Sequence, residues 1–176
     1  MSLISGKQNW AVECSEKLNK QINVELDASH QYLSLYCFFN QDTIALDGVA
    51  KFLKKSSDEE REHALKLIEY QNKRGEKVIL ETIKDYNYSF TNQKNKSDVL
   101  QAFKLVLDLE KTVNQHLLDL HKVSENNNDP QFCDFLESEF LNEQVDAINE
   151  ITKYVNQLTR IGCDGHGIWD FNNKLE

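Results

Sequence analysis

Four stretches of the chain place apolar side chains three or four residues apart, the spacing of one face of an α-helix. The first runs Leu18, Ile22, Glu25, Ser29, Tyr32, Tyr36, and the second Val49, Phe52, Ser56, Glu60, His63, Leu67. The third is Leu100, Phe103, Leu107, Glu110, Asn114, Leu117, and the fourth Phe140, Gln144, Ala147, Ile151, Val155, Leu158. Each stripe is interrupted near its middle by a side chain foreign to a core: Glu25, Glu60 with His63 one turn later, Glu110, and Gln144. Uncompensated carboxylates in a bundle interior cost roughly several kcal/mol each, and no Lys or Arg stands on these stripes at that level. A bound cation would neutralise them.

The helix ends are written in the sequence too. The pattern predicts a first helix over about residues 8 to 38 and a second from Asp47 to Arg74-Gly75, where glycine can take a left-handed cap. Ser97-Asp98 with Gln101 reads as a capping box opening a third helix. Asp129-Pro130 supplies the N-cap and first residue of a fourth, which Ile161-Gly162 closes. Short connections around 39–46 and 124–129 make those pairs antiparallel. The polar segment from Glu76 to Lys96 is long enough, at about 3.3 Å per residue, to run the roughly 42 Å of a helix of about 28 residues. The second and third helices are therefore expected to be parallel, giving an all-α four-helix bundle with one long crossover. Ile168, Phe171 and Leu175 mark a short amphipathic fifth helix, too small to stand alone and expected to bury its stripe against neighbouring subunits.

Composition agrees with a helical chain. Among 176 residues there is one Pro and six Gly, with 40% hydrophobic and 28% charged residues, which suits a single domain over 1–176. The net charge of -9 leaves no basic patch for nucleic acid and suits cation attraction or simply solubility. No apolar run approaches the roughly 20 residues of a membrane span, and the start of the chain lacks the apolar core of a secretory signal, so the expected location is cytoplasmic. Cys14, Cys37, Cys133 and Cys163 are scattered with no Cys-x-x-Cys pair, and read as reduced thiols.

Taken singly, a buried Glu or Gln can hydrogen-bond a Tyr or Ser, and a Glu-x-x-His on a helix is commonly surface. Four interruptions at one level, with Tyr32 one heptad beyond Glu25, favour a metal centre. Oxygen ligands with one imidazole and no thiolate suit iron or manganese better than structural zinc. Two ions fit better than one: Glu60 bridges, Glu25 and His63 serve one ion, and Glu110 the other.

These residues lie in segments that resemble ferritin, in its heavy-chain, ferroxidase-active type. The resemblance is carried by Gln21-Ile-Asn-Val-Glu-Leu-Asp-Ala-Ser, Asp58-Glu-Glu-Arg-Glu-His-Ala, Leu109-Glu-Lys-Thr-Val-Asn, Asp129-Pro-Gln-Phe-Cys-Asp-Phe-Leu-Glu and Leu141-Asn-Glu-Gln-Val. It implies iron storage in a shell of twenty-four identical subunits, or one shared with other ferritin subunit types. It also implies that two ferrous ions are oxidised by dioxygen inside each subunit before the product mineralises in the hollow. Glu25, Tyr32, Glu60, His63, Glu110 and Gln144 fill the family's ferroxidase positions. The second metal position reads as the weaker, because Gln144 is neutral and Ala147 stands where a symmetric centre would have a second His.

By the same resemblance Asp134 and Glu137 match acids of a three-fold channel, near which Cys133 and His121 fall; read alone, the two acids are a solvated helix face. Glu59 and Glu62 match cavity-side acids of mineral nucleation, although Leu65 replaces a frequent third acid. The crossover, with Tyr86, Tyr88 and Phe90, is longer than the family's, and the tail from Gly165 matches it poorly. The alternative from another class is a non-catalytic structural or iron-carrying shell subunit. A di-iron oxygenase would show two Glu-x-x-His motifs, and a helical cytokine a signal sequence and two long crossovers.

Overall fold

The computed structural model describes residue 4 and residues 6–90 and 97–175. Helix α1 spans Val12–Phe39, α2 Asp47–Lys73 and α3 Asp98–Asn126. The fourth rod comprises α4, Pro130–Leu136, a π turn over Glu137–Leu141, and α5, Asn142–Ile161; α6, Gly165–Lys174, follows. The bundle is all-helical among the described residues, as the stripes require.

The local signals act where the sequence places them. The Ser97 side chain accepts from the Leu100 backbone N–H at 3.1 Å, and Asp129 accepts from Phe132 N–H at 3.0 Å with Pro130 at the first helical position. Gln101 does not complete the expected capping box: with Ser97 as N-cap it lies one residue beyond the N3 position, and its amide donates to the Ser97 carbonyl at 3.3 Å instead of accepting from the Ser97 N–H. Gly75 and Gly162 take φ of 85° and 67°, the left-handed region in which glycine carries no Cβ penalty.

The fourth rod is not the uninterrupted α-helix that its boundary signals suggest. Phe132, Leu136, Phe140 and Gln144 are all buried at four-residue intervals. In an α-helix each such step drifts by about 40° around the axis, so three steps would carry the last residue well off the inward face. The π turn takes up one residue at this point and returns Gln144 to the interior.

The crossover follows α1, held by a polar ladder at four-residue spacing. Asn19 accepts from Ile79 N–H at 2.7 Å and donates to its carbonyl at 2.9 Å; Asn23 accepts from Glu81 N–H at 2.8 Å. One turn on, Asp27 accepts from the Tyr86 hydroxyl at 2.6 Å, and next Gln31 accepts from Tyr88 at 3.2 Å. Tyr88 stacks on Phe90, whose ring meets Phe38 edge-on at 5.1 Å. Residues 91–96, the end of the predicted crossover, lie outside the described residues.

The tail helix packs on its own bundle through Phe171, 2% exposed, which meets Phe103 and Tyr154 edge-on at 5.5 and 5.6 Å, while Ile168 and Leu175 stay half-buried. Beside it the Asn172 side chain accepts from the backbone N–H groups of Gly48 and Val49 at 2.9 and 3.1 Å. These are orphan donors of the α2 N-terminus, where Leu46 offers no side-chain cap, so the cap comes from the far end of the chain. Gly48 permits the approach, since a Cβ there would lie 2.0 Å from the Asn172 carbonyl oxygen.

Two apolar clusters fill the bundle. One gathers Tyr32, Phe39, Leu53, Phe103 and Phe171 at the α6 end, and the other Trp10, Leu18, Leu67, Leu117 and Phe132 at the opposite end. The polar interruptions of the four stripes lie between them.

Candidate metal centre

Mid-helix positions on α1, α2 and α3 deliver Glu25, Tyr32, Glu60, His63 and Glu110 to this layer, the first turn of α5 delivers Gln144, and all six are buried. Ligand atoms of Glu25, Glu60 and His63 all lie within 4.8 Å of one another. A cavity of about 80 Å³ beside them is lined by Tyr32, Glu60, His63, Glu110 and Gln144, among others. At about 30 Å³ per water, it has room for two or three small species.

The hydrogen bonds orient the ligands without neutralising them. Gln21 donates to Glu25 Oε1 at 2.8 Å, the Tyr32 hydroxyl donates to Glu110 Oε1, and Gln144 Nε2 donates to Glu110 Oε2 at 3.4 Å. His63 places Nδ1 3.2 Å from Glu60 Oε2 and Nε2 3.3 Å from Glu143 Oε2. Glu25 Oε2 and Gln144 Oε1 are buried acceptors with no donor. Orphaned oxygens of this kind are rare in native interiors and mark an unmet electropositive partner. Among the described residues no Lys or Arg pairs with Glu25, Glu60 or Glu110.

Burial therefore pushes the Glu25 carboxyl well above its ordinary pKa, with the neighbouring Glu60 adding to the shift. Burial and then Glu110 push Glu60 up to about 8. Glu110 is also raised by burial, against the pull of hydrogen bonds from Tyr32 and Gln144. Glu60 therefore keeps its proton at neutral pH without metal, and a cation bound here would displace that proton and meet the orphaned oxygens. The donor set, carboxylates and an amide oxygen with one imidazole, fits iron or manganese.

Other candidates fall elsewhere. Asp134 and Glu137 are exposed on the fourth rod, where His121 Nε2 lies 2.7 Å from Glu137 Oε1, and Cys133 is 3.1 Å from the Ser124 hydroxyl. Glu59 lines both the edge of this cavity and a wider groove outside it, pairing with Lys55 at 2.9 Å, whereas Glu62 lines the outer groove and not the cavity. Sequence reasoning missed Glu143, the second partner of His63, and Gln21, the donor to Glu25. Gln21 was visible one turn before Glu25. Glu143 and Glu150 flank Gln144 on a neighbouring stripe, a signal readable only once the cavity is known to open that way.

A four-helix bundle with one long crossover and a carboxylate–imidazole layer at its waist defines the class of helix-bundle metal-carboxylate proteins. Residues 15–161 match the Ferritin-like domain, and the chain belongs to the ferritin family. It is 53% identical over 169 residues to the chloroplastic ferritin of Malus baccata var. xiaojinensis, covering 96% of this chain and 67% of that protein. To the chloroplastic ferritin of Phaseolus vulgaris it is 50% identical, covering 96% and 66%. The chain thus spans about two thirds of the length of these relatives. The crystal structure of ferritin from the green alga Ulva pertusa superposes with a TM-score of 0.92 at 40% identity, covering 96% of this chain and 86% of that one. The expected cytoplasmic location is overturned by these relatives, which are named chloroplastic. The expectation rested on the residues at the start of the chain, a region that is no guide where the relatives are longer.

Proposed function

We propose that this protein stores iron as a ferritin shell subunit in the plastid and oxidises ferrous iron with dioxygen at the layer between its two apolar clusters. The observation that supports this reading above others is the pairing of three buried, uncompensated carboxylates with two orphaned oxygens, Glu25 Oε2 and Gln144 Oε1. Ferrous ions are the substrate. Glu25, Glu60 and His63 hold the first, and Glu110 with Gln144 the second, Glu60 lying between. Tyr32 fixes Glu110 through its hydroxyl, and Gln21 fixes Glu25. The second position, with one carboxylate and the neutral Gln144 amide, holds its ion more weakly, which favours release of ferric product for storage. Replacing Glu60 and His63 together by alanine is expected to abolish rapid ferrous oxidation while helicity and assembly persist, because removing buried charges does not unfold an apo bundle. Oxidation at the wild-type rate in that variant would place the centre elsewhere.

The same reading treats the chain as one domain that assembles into a hollow shell of twenty-four copies. Asp134 and Glu137 then line the entry for cations, and Glu59 and Glu62 face the mineral. The mass of the native particle tests this part directly, and a stable monomer would end it.

A further inference from the structure

The metal cavity has an acidic rim with one lysine in it. Glu59, Glu143 and Glu150 line its outer edge while Glu60, His63 and Gln144 line its floor, and Lys55 is the cation among these lining residues. Lys55 Nζ lies 2.9 Å from Glu59 Oε1, with side chains 76% and 44% exposed. Glu143, 53% exposed, is the same carboxylate that stands 3.3 Å from His63 Nε2. Floor and rim are thus joined through one residue, and the floor carries the orphaned Gln144 Oε1.

We propose, on the metal-centre reading above, that Lys55 is a resident counter-ion at the mouth of the centre, which an incoming divalent cation displaces from the rim carboxylates. In the metal-free protein the Lys55 ammonium moderates the repulsion among Glu59, Glu143 and Glu150. The Glu59 carboxylate beside it raises its pKa, with Glu150 and Glu143 adding to the effect, so all three act on one ammonium. A single charge on a flexible stem yields to a doubly charged ion that several oxygens can coordinate at once, and the displaced ammonium returns to water. An exposed pair of this kind is weak, which is what a displaceable occupant requires. Lys55 is therefore a positioning residue that sets the ion concentration at which the centre fills, touching neither the bound metal nor dioxygen.

The test titrates zinc, which has no redox chemistry, into the metal-free assembled protein by calorimetry, counting only binding that the Glu60→Ala, His63→Ala variant lacks. Lys55→Gln is expected to lower the half-saturating zinc concentration about two- to five-fold, the range that weak surface pairs allow. Lys55→Arg should restore the wild-type value, and high salt should shrink the difference. Lys54→Gln is the matched control. Lys54 pairs with Asp58 at 2.5 Å and borders the outer groove, as Lys55 does, but does not line the small cavity, so its loss removes the same charge without opening the rim. Unchanged or weaker zinc binding in Lys55→Gln, or an equal gain in Lys54→Gln, overturns the inference. Absence of any zinc binding dependent on Glu60 and His63 in the wild type would instead overturn the metal-centre reading itself.

Discussion

Asp129 and Glu60 are both carboxylates sealed in the bundle, 2% and 4% exposed, yet one faces a guanidinium and the other faces more acids. Arg74 reaches Asp129 at 2.5 Å, lies over the Trp10 ring at 4.4 Å, and donates to the Asn9 carbonyl at 2.7 Å. Asp129 also caps α4 through Phe132 N–H. Both charges of this node have their partner within the chain, so the node serves the fold. At the waist, Glu25, Glu60 and Glu110 have amides, a phenol and an imidazole to orient them but no fixed cation. One carboxylate is fully matched within the chain and three others at one level are not, and the proposed metal is what would match them.

The sharpest way to break the comparison is Asp129→Ala. It strands Arg74 and removes the α4 cap, and is expected to cost about 3–5 kcal/mol of stability. The midpoint of chemical unfolding measures it, and a loss below about 1 kcal/mol would mean that the node is not what holds this end together.

At the waist the expected sign is opposite. Glu60→Gln removes a buried acid that lacks a counter-charge, and should leave the metal-free protein as stable or raise its stability by about 1–4 kcal/mol at pH 8. The pH dependence follows from the raised pKa. Folded Glu60 keeps its proton up to about pH 8, whereas an unfolded Glu releases it near 4.5. The folded state therefore binds more protons across that window, and the stability of the metal-free wild type falls as pH rises through it, levelling above about 8. Glu25 and Glu110, shifted the same way, add to the slope. Melting curves at pH 5 and pH 8 should show the decline in the wild type and a shallower one in Glu60→Gln. Excess zinc should reduce or reverse the wild-type slope, since metal competes with protons for the same oxygens. A slope untouched by either change would assign the titration to other groups.

The buried polar layer was legible because its residues obey the helical period. Glu25, Glu60, His63, Glu110 and Gln144 stand on inward stripes, and polar breaks in such stripes are conspicuous one helix at a time. The rim was not legible. Lys55, Glu143 and Glu150 are exposed charges on helical surfaces, a type found throughout the chain, and nothing periodic sets them apart.

The sequence by itself determined the four stripes, the caps at Ser97 and Asp129, the glycine ends, and the length that lets the crossover return along the bundle. These are local properties, fixed by backbone sterics and by which face of a helix is apolar. Tertiary structure alone decided that α6 packs on its own bundle, that Asn172 caps the start of α2, and that the fourth rod needs a π turn to keep Gln144 inside. It also decided that Lys55 stands at the mouth of the cavity beside Glu60 and His63. Each depends on where a distant element comes to rest, and that follows from packing all the stripes at once, which no single stretch of the chain encodes.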